Sequence, residues 1–187
     1  MAELTKEQIT FLKRHSIAPA QIFDASTTKN KTARISQMDA LELSFYFSGA
    51  ACQKGGHTLR TKSGHCIQCD TSKIAYQLRH SSAGFVYLAY SKNNKLAKVG
   101  FTKSSPQDRA VILRKEQYAN VSDWVIKRKF KFEKNAGREE FAIHSLLEDY
   151  LKPITYEKQR GIMVECREVF SCEIEVAIKA FDEVTNA

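Results

Sequence analysis

The apolar positions change period along the chain, and that change divides it. Near the N-terminus Ile9, Phe11 and Leu12 fall on one side of a helix ending near His15. Thr5 to Gln8 has capping-box spacing, in which the hydroxyl and the amide each satisfy an orphan backbone group. Pro19 opens a short turn toward Ile22 and Phe23, and the polar run Asp24 to Lys31 reads as a loop. Ile35, Met38 and Leu41 return to helical spacing, which predicts a second helix from about Thr32 to Leu43. Residues 1–48 are therefore expected to form a helical N-terminal region.

Beyond residue 83 strands and helices alternate. Phe85 to Tyr90 and Leu96 to Phe101 are apolar runs joined by the turn Lys92 to Lys95, the pattern of a hairpin. Ser105-Pro106-Gln107-Asp108 starts a helix: a hydroxyl at the cap, proline in the first turn, and an acid near the positive end of the dipole. Trp124, Ile126, Arg128, Phe130 and Phe132 then alternate with Val125, Lys127, Lys129 and Lys131, giving a strand with one mostly apolar face and one basic face. A helix is expected from about Arg138 to Leu151, a short strand at Arg167 to Phe170, and a last helix capped by Ser171 with Ile174, Ala177, Ile178 and Phe181 inward. The fold class this implies is α+β, with a small, mainly antiparallel sheet flanked by helices.

Composition adds a partner class. The chain of 187 residues is 43% hydrophobic and 27% charged, the balance of a folded rather than a disordered protein. A net charge of +8 favours polyanions, because neutralising phosphates releases counterions. No apolar run reaches the roughly 20 residues of a membrane helix, and the first residues lack the apolar core of an export signal, so a cytoplasmic location with no membrane contact is expected.

Three of the five cysteines cluster between positions 52 and 69, in Cys52-Gln-Lys-Gly-Gly-His57 followed by Cys66-Ile-Gln-Cys69. Four N/S groups at this spacing predict one structural zinc ion. Cys-x2-Cys offers two sulfurs from one turn, and Gly55-Gly56 lets the chain fold so that Cys52 and His57 complete a tetrahedron. Four protein ligands leave no open position, so the ion holds structure. His65 is a rival ligand, less favoured because it adjoins Cys66. The arrangement, running into a helix from about Thr71 to Arg79, resembles a treble-clef zinc finger over residues 49–82. Lys54, Arg60 and Lys62 are its candidate contacts to nucleic acid. Cys166 and Cys172 have no partners at metal spacing and read as core thiols.

Residues 83–187 carry a second resemblance. Phe85-Val86-Tyr87, Lys98-Val99-Gly100, Arg109, Glu140-x3-His144 and Arg167-Glu168-Val-Phe170 follow one another in the order of the divergent phage-type branch of the GIY-YIG nuclease superfamily. Each element is weak alone, and five in order are fairly specific. The resemblance implies a metal-dependent endonuclease hydrolysing phosphodiester bonds in nucleic acid, with DNA the expected substrate. By the same resemblance Tyr87 orients or deprotonates water and Arg109 stabilises charge on the phosphate. Glu140 would hold magnesium or manganese, with Glu168 in reserve, and His144 would assist. Lys98 departs from the common pattern, which has a second tyrosine there. Lys103, Lys127, Lys129 and Lys131 are the candidate backbone contacts of this domain. Two alternatives remain at this point: a GIY-YIG-like zinc-finger module that binds DNA without cutting it, and a zinc protein with no nucleic-acid partner. RNA as substrate and the oligomeric state stay open.

Overall fold

The capping box at Thr5 forms as its spacing requires. Thr5 Oγ1 accepts from the Gln8 amide at 3.2 Å, and Gln8 Oε1 accepts from the Thr5 amide at 2.9 Å. The computed structural model describes residues 3–28, 30–159 and 161–186. Lys29, within the expected loop, and the first two residues, read for an export signal, lie outside them. The chain divides into two units, Met1–Arg79 and His80–Ala187.

The first unit contains α1 (Lys6–Arg14), β1 (Ile22–Asp24), α2 (Lys31–Ala40), β2 (Phe45–Phe47), β3 (Arg60–Thr61) and the start of α3 (Ser72–Ser81). The segment expected to be helical, 1–48, is not helical throughout. Ile22-Phe23-Asp24 lies parallel to Phe45-Tyr46-Phe47, and the latter pairs antiparallel with Arg60-Thr61. These two short strands were hidden because each has three residues, too few to show a period. The sheet joins the N-terminal segment to the Cys/His segment. Leu12, Ile17, Phe45 and Phe47 share one apolar cluster with Leu59, Ile67 and Ile74. Gln8 Nε2 adds a hydrogen bond to Thr58 Oγ1 at 2.8 Å.

The second unit contains β4 (Gly84–Ser91), β5 (Leu96–Thr102), α4 (Pro106–Lys115), β6 (Val125–Phe132), α5 (Ala136–Leu146), β7 (Ile154–Gln159), β8 (Ile162–Cys166), β9 (Val169–Ser171) and α6 (Ile174–Thr185). Strands β4, β5, β6 and β9 form an antiparallel sheet in the order β6-β4-β5-β9. The fold is α+β, as the pattern implies. One face, with Val86, Leu88, Val99 and Phe170, packs against Ile143 of α5 and Phe181 of α6. The other, with Tyr87, Ala89 and Leu96, packs against Leu113 of α4, Trp124 and Tyr156 of β7. The separate hairpin β7–β8 supplies part of that second core. No pattern read from the sequence covers it, although Gly161 sits at its turn with φ +77.

The strict alternation expected in β6 is broken by a bulge. Arg128 faces Leu88 and Ile126 faces Ala89, which leaves Lys127 as the extra residue. Ile126 therefore shares a face with Lys129 and Lys131, on the Tyr87 side of the sheet. Arg128, Phe130 and Phe132 occupy the other, where Arg128 Nε reaches Asp182 of α6 at 3.3 Å. Among the described residues no helix is long and apolar enough to cross a membrane.

Candidate active site and metal centre

In the first unit the four expected ligands meet. Cys52 Sγ, His57 Nδ1, Cys66 Sγ and Cys69 Sγ all lie within 4.8 Å of one another. The closest separations are 3.4 Å for His57 to Cys69, 3.6 Å for Cys52 to Cys69, 3.7 Å for Cys52 to His57 and 3.8 Å for Cys66 to His57. A tetrahedral zinc with Zn–S about 2.3 Å and Zn–N about 2.0 Å has ligand–ligand edges of about 3.5–3.8 Å, so the set fits this ion. His57, not His65, completes it. Its ring lies over Gly55, where a Cβ would meet Cε1 at 2.7 Å, and Gly56 turns the chain at φ +66. Desolvation pushes the Cys52 thiol up, but hydrogen bonds from the backbone of His57 and Gly55 and from Cys69 and Cys66 outweigh it and bring the group down to about 6. Cys69 is pushed up to about 11, first by its hydrogen bonds to Cys52 and Cys66. A divalent cation bound here would take the cysteines as thiolates.

In the second unit the polar groups gather on β5, where its neighbour β9 runs out. β9 pairs only with Leu96, Ala97 and Lys98, so the backbone beyond them needs other partners. Two come from α5. Glu140, fully buried, accepts the Phe101 amide proton at 2.9 Å, and His144 Nε2 lies 3.2 Å from the Val99 carbonyl oxygen. A carbonyl only accepts, so that nitrogen carries the proton. Tyr87 approaches from the other strand. It stands opposite Gly100, and its phenol lies over the glycine so closely that a Cβ there would meet Oη at 2.5 Å. The glycine of Lys98-Val99-Gly100 is therefore a steric requirement of Tyr87.

Lys98 lies on the same face of the sheet, 2% exposed, with Nζ 2.6 Å from Glu168 Oε2. Its ammonium sits 4.5 Å from the Tyr118 ring centroid and 3.4 Å from the phenol oxygen. Tyr118 packs against Tyr156 at 5.3 Å. Burial first, then the Glu168 carboxylate, pushes the Tyr118 phenol well above its ordinary range, so it stays protonated. Tyr118 reaches this place from a sharp turn in which Gln117, Ala119 and Asn120 all have positive φ. Arg109 lies half-buried on α4 behind a Ser105 cap that accepts from the Gln107 amide. Neither of its acidic neighbours in sequence, Asp108 or Glu116, forms an ion pair with it among the described residues. Its charge reaches Tyr156, where it opposes the upward push of burial, Cys166 and Glu116. Tyr118 and Tyr156 were not among the sequence candidates. Ile154-Thr-Tyr156 beside Gly161 was the available signal for the second, while Tyr118 follows no period.

The T5orf172 domain model matches residues 84–185 of this chain, the span that holds all of these groups. The chain belongs to the T5orf172 domain family. This is a phage-associated domain in a nuclease context. No curated protein and no solved structure matches the chain.

The T5orf172 domain presents exposed lysines Lys127 and Lys129 on its edge strand β6, exposed Lys103 after β5, and Lys131, which pairs with Glu133 at 2.8 Å. In the first unit, outside the domain, Lys54 is exposed. Arg60 is committed elsewhere. Its guanidinium donates to the Ala50 carbonyl at 3.0 and 2.6 Å and to the Gly64 carbonyl at 2.9 Å, tying these two loops together. Lys62 pairs with Asp39 at 2.6 Å. Basic residue types at finger spacing do not distinguish a cation that faces solvent from one that ties two loops together.

Proposed function

We propose that this chain is a metal-dependent endonuclease of the GIY-YIG type, acting on DNA, whose zinc-holding first unit adds to its grip on substrate. Most support comes from one observation: the Tyr87 phenol and the buried Glu140 carboxylate meet adjacent residues of β5, Gly100 and Phe101, although 53 positions separate them in sequence. The Phe101 amide needs an acceptor, which many polar side chains could supply, and buried ionisable groups cluster at functional sites. The Phe101 amide fixes the orientation of the Glu140 group, as hydrogen bonds orient carboxylates that ligate metals. Glu140 would hold magnesium or manganese, which polarises a phosphate oxygen when bound. Tyr87 would orient the attacking water or take its proton. Arg109, whose planar fork suits phosphate, would stabilise the charge that develops there. His144 would hold the β5 edge in place through Val99, and Lys98 would set the positive charge of the floor, with Glu168 as its counter-ion.

Plasmid nicking in magnesium tests the reading. Glu140→Gln keeps the shape, and its amide oxygen can still accept from Phe101, but it removes the charge. Cleavage should vanish with DNA binding and melting nearly unchanged. Full activity in that variant, with none in Glu168→Gln, would move the metal ligand to Glu168. The pairing of Lys98 with Glu168 also favours a second reading, a domain that binds DNA without cutting it. That reading requires the wild-type chain to retain DNA and never nick it.

A further inference from the structure

The first unit has a polar groove beside its candidate metal ligands. It lies between the turn after β3 and one face of α3, with a volume of about 500 Å³, and Ser63, His65, Ser72, Lys73, Tyr76 and Gln77 line it. Such a volume falls within the roughly 300–1,000 Å³ of small-ligand sites. Tyr76 is 53% exposed, so part of its ring faces solvent. Ser72, Lys73, Tyr76 and Gln77 share one helix face because they stand one turn apart in pairs. His65 and Lys73 also line a second depression of about 570 Å³ that runs past Lys54 at the knuckle. The two share His65 and Lys73 and so form one trough, aromatic and amide-bearing at one end; its other part carries Lys54 and Arg60, the cysteines Cys52, Cys66 and Cys69, and Asp70, whose Oδ2 lies 3.7 Å from Lys73 Nζ. At its margin Asp70 has a carboxylate oxygen committed to the Ser72 amide at 3.1 Å and to its hydroxyl at 2.5 Å. Arg60 clamps the loops on either side, so the walls are fixed before any ligand arrives.

We infer that this trough is a binding site for an unpaired nucleotide of a nucleic-acid strand, with its base stacked on Tyr76 and its flanking phosphates on Lys73, His65 and Lys54. The inference rests on the proposed nucleic-acid function and narrows it to a strand with at least one unpaired base. An aromatic face takes a base only when that base is free of its own stack, and each such contact is sequence-tolerant. The charge matches the occupant: along the chain as far as Arg79, Lys and Arg clearly outnumber Asp and Glu.

The test uses the full zinc-loaded chain, with no magnesium or manganese added, and anisotropy of a short labelled thymidine oligonucleotide and of a blunt duplex. Tyr76→Ala should weaken single-strand binding about tenfold, leave duplex binding unchanged and leave zinc content unchanged. Tyr76→Phe, which keeps the stacking face, should bind as the wild type does. Lys73→Gln should lower the salt slope by about one phosphate contact. Unaltered single-strand binding in Tyr76→Ala, or an equal loss on duplex, overturns the inference. If the wild type still nicks plasmid in that case, the endonuclease reading survives. A wild type that neither binds nor cuts ends both.

Discussion

The two units place their chemistry in opposite ways. In the first, the four groups that could hold a metal ion come from the single stretch Cys52 to Cys69 and lie near the surface, with Cys69 exposed. In the second, the polar groups come from separate elements and meet strand β5 between Lys98 and Phe101, with Lys98 and Glu140 buried. The first arrangement is local and needs turns. The second is topological and needs the whole fold. The apolar cores differ in the same sense. Among the described residues, eight buried side chains make up the main cluster of the first unit, against thirteen and eleven on the two faces of the second. A core so small is the kind that a metal completes.

The strongest way to break this comparison is to remove the metal. Cys66→Ser should strip zinc and unfold the first unit, since apparent zinc binding in finger peptides is worth about 10–16 kcal/mol. The second unit should keep its own melting transition. Loss of both transitions together, by calorimetry with elemental analysis, would show that the units do not stand independently.

Next in size is Arg109→Ala. Deleting one donor of transition-state charge should reduce cleavage by about two to three orders of magnitude, with zinc content unchanged. A loss of less than tenfold in nicking rate would remove Arg109 from the site.

Gly100→Ala sharpens the comparison inside the second unit. The new methyl would meet the Tyr87 oxygen at 2.5 Å and its ring carbon Cζ at 2.6 Å. Overpacking of this kind costs about 1–3 kcal/mol, so the second transition should fall and the first should not. An unchanged melting profile would mean that the ring moves aside freely.

The smallest effect concerns β6. Because the bulge sets Lys127 apart, Lys129→Glu with Lys131→Glu should lower the salt slope of binding by about two, and Lys127→Glu alone by less than one. Equal effects from all three would mean that the face of the sheet does not govern contact.

Legibility in the sequence follows the same division. Cys52, His57, Cys66 and Cys69 could be read from spacing because their geometry is made by the turn between them. The hairpin of Tyr87 and Gly100 was readable from two apolar runs joined by a polar turn, and the start of α4 from its cap and proline. What the sequence hid was whatever another element imposes. The Lys127 bulge depends on pairing with β4. The engagement of Arg60 and Lys62 depends on carbonyls and an acid brought from elsewhere in the fold. Tyr118 reaches Lys98 through a turn with left-handed Ala119, which no periodicity announces. Three-residue strands such as β1 and β2 become strands only when they find each other.

The position of β6 at the margin of its sheet has a consequence for the fate of the molecule at high concentration. Among the described residues one side of that strand has no neighbour in the sheet, and such a margin is a template on which a second copy can add its own strand and begin an aggregate. Lys127, Lys129 and Lys131 give the strand a run of like charge, which a second copy would have to bring against its own. The lysines expected to meet phosphate would therefore also oppose the approach of a second copy, and a bound polyanion would cancel that opposition.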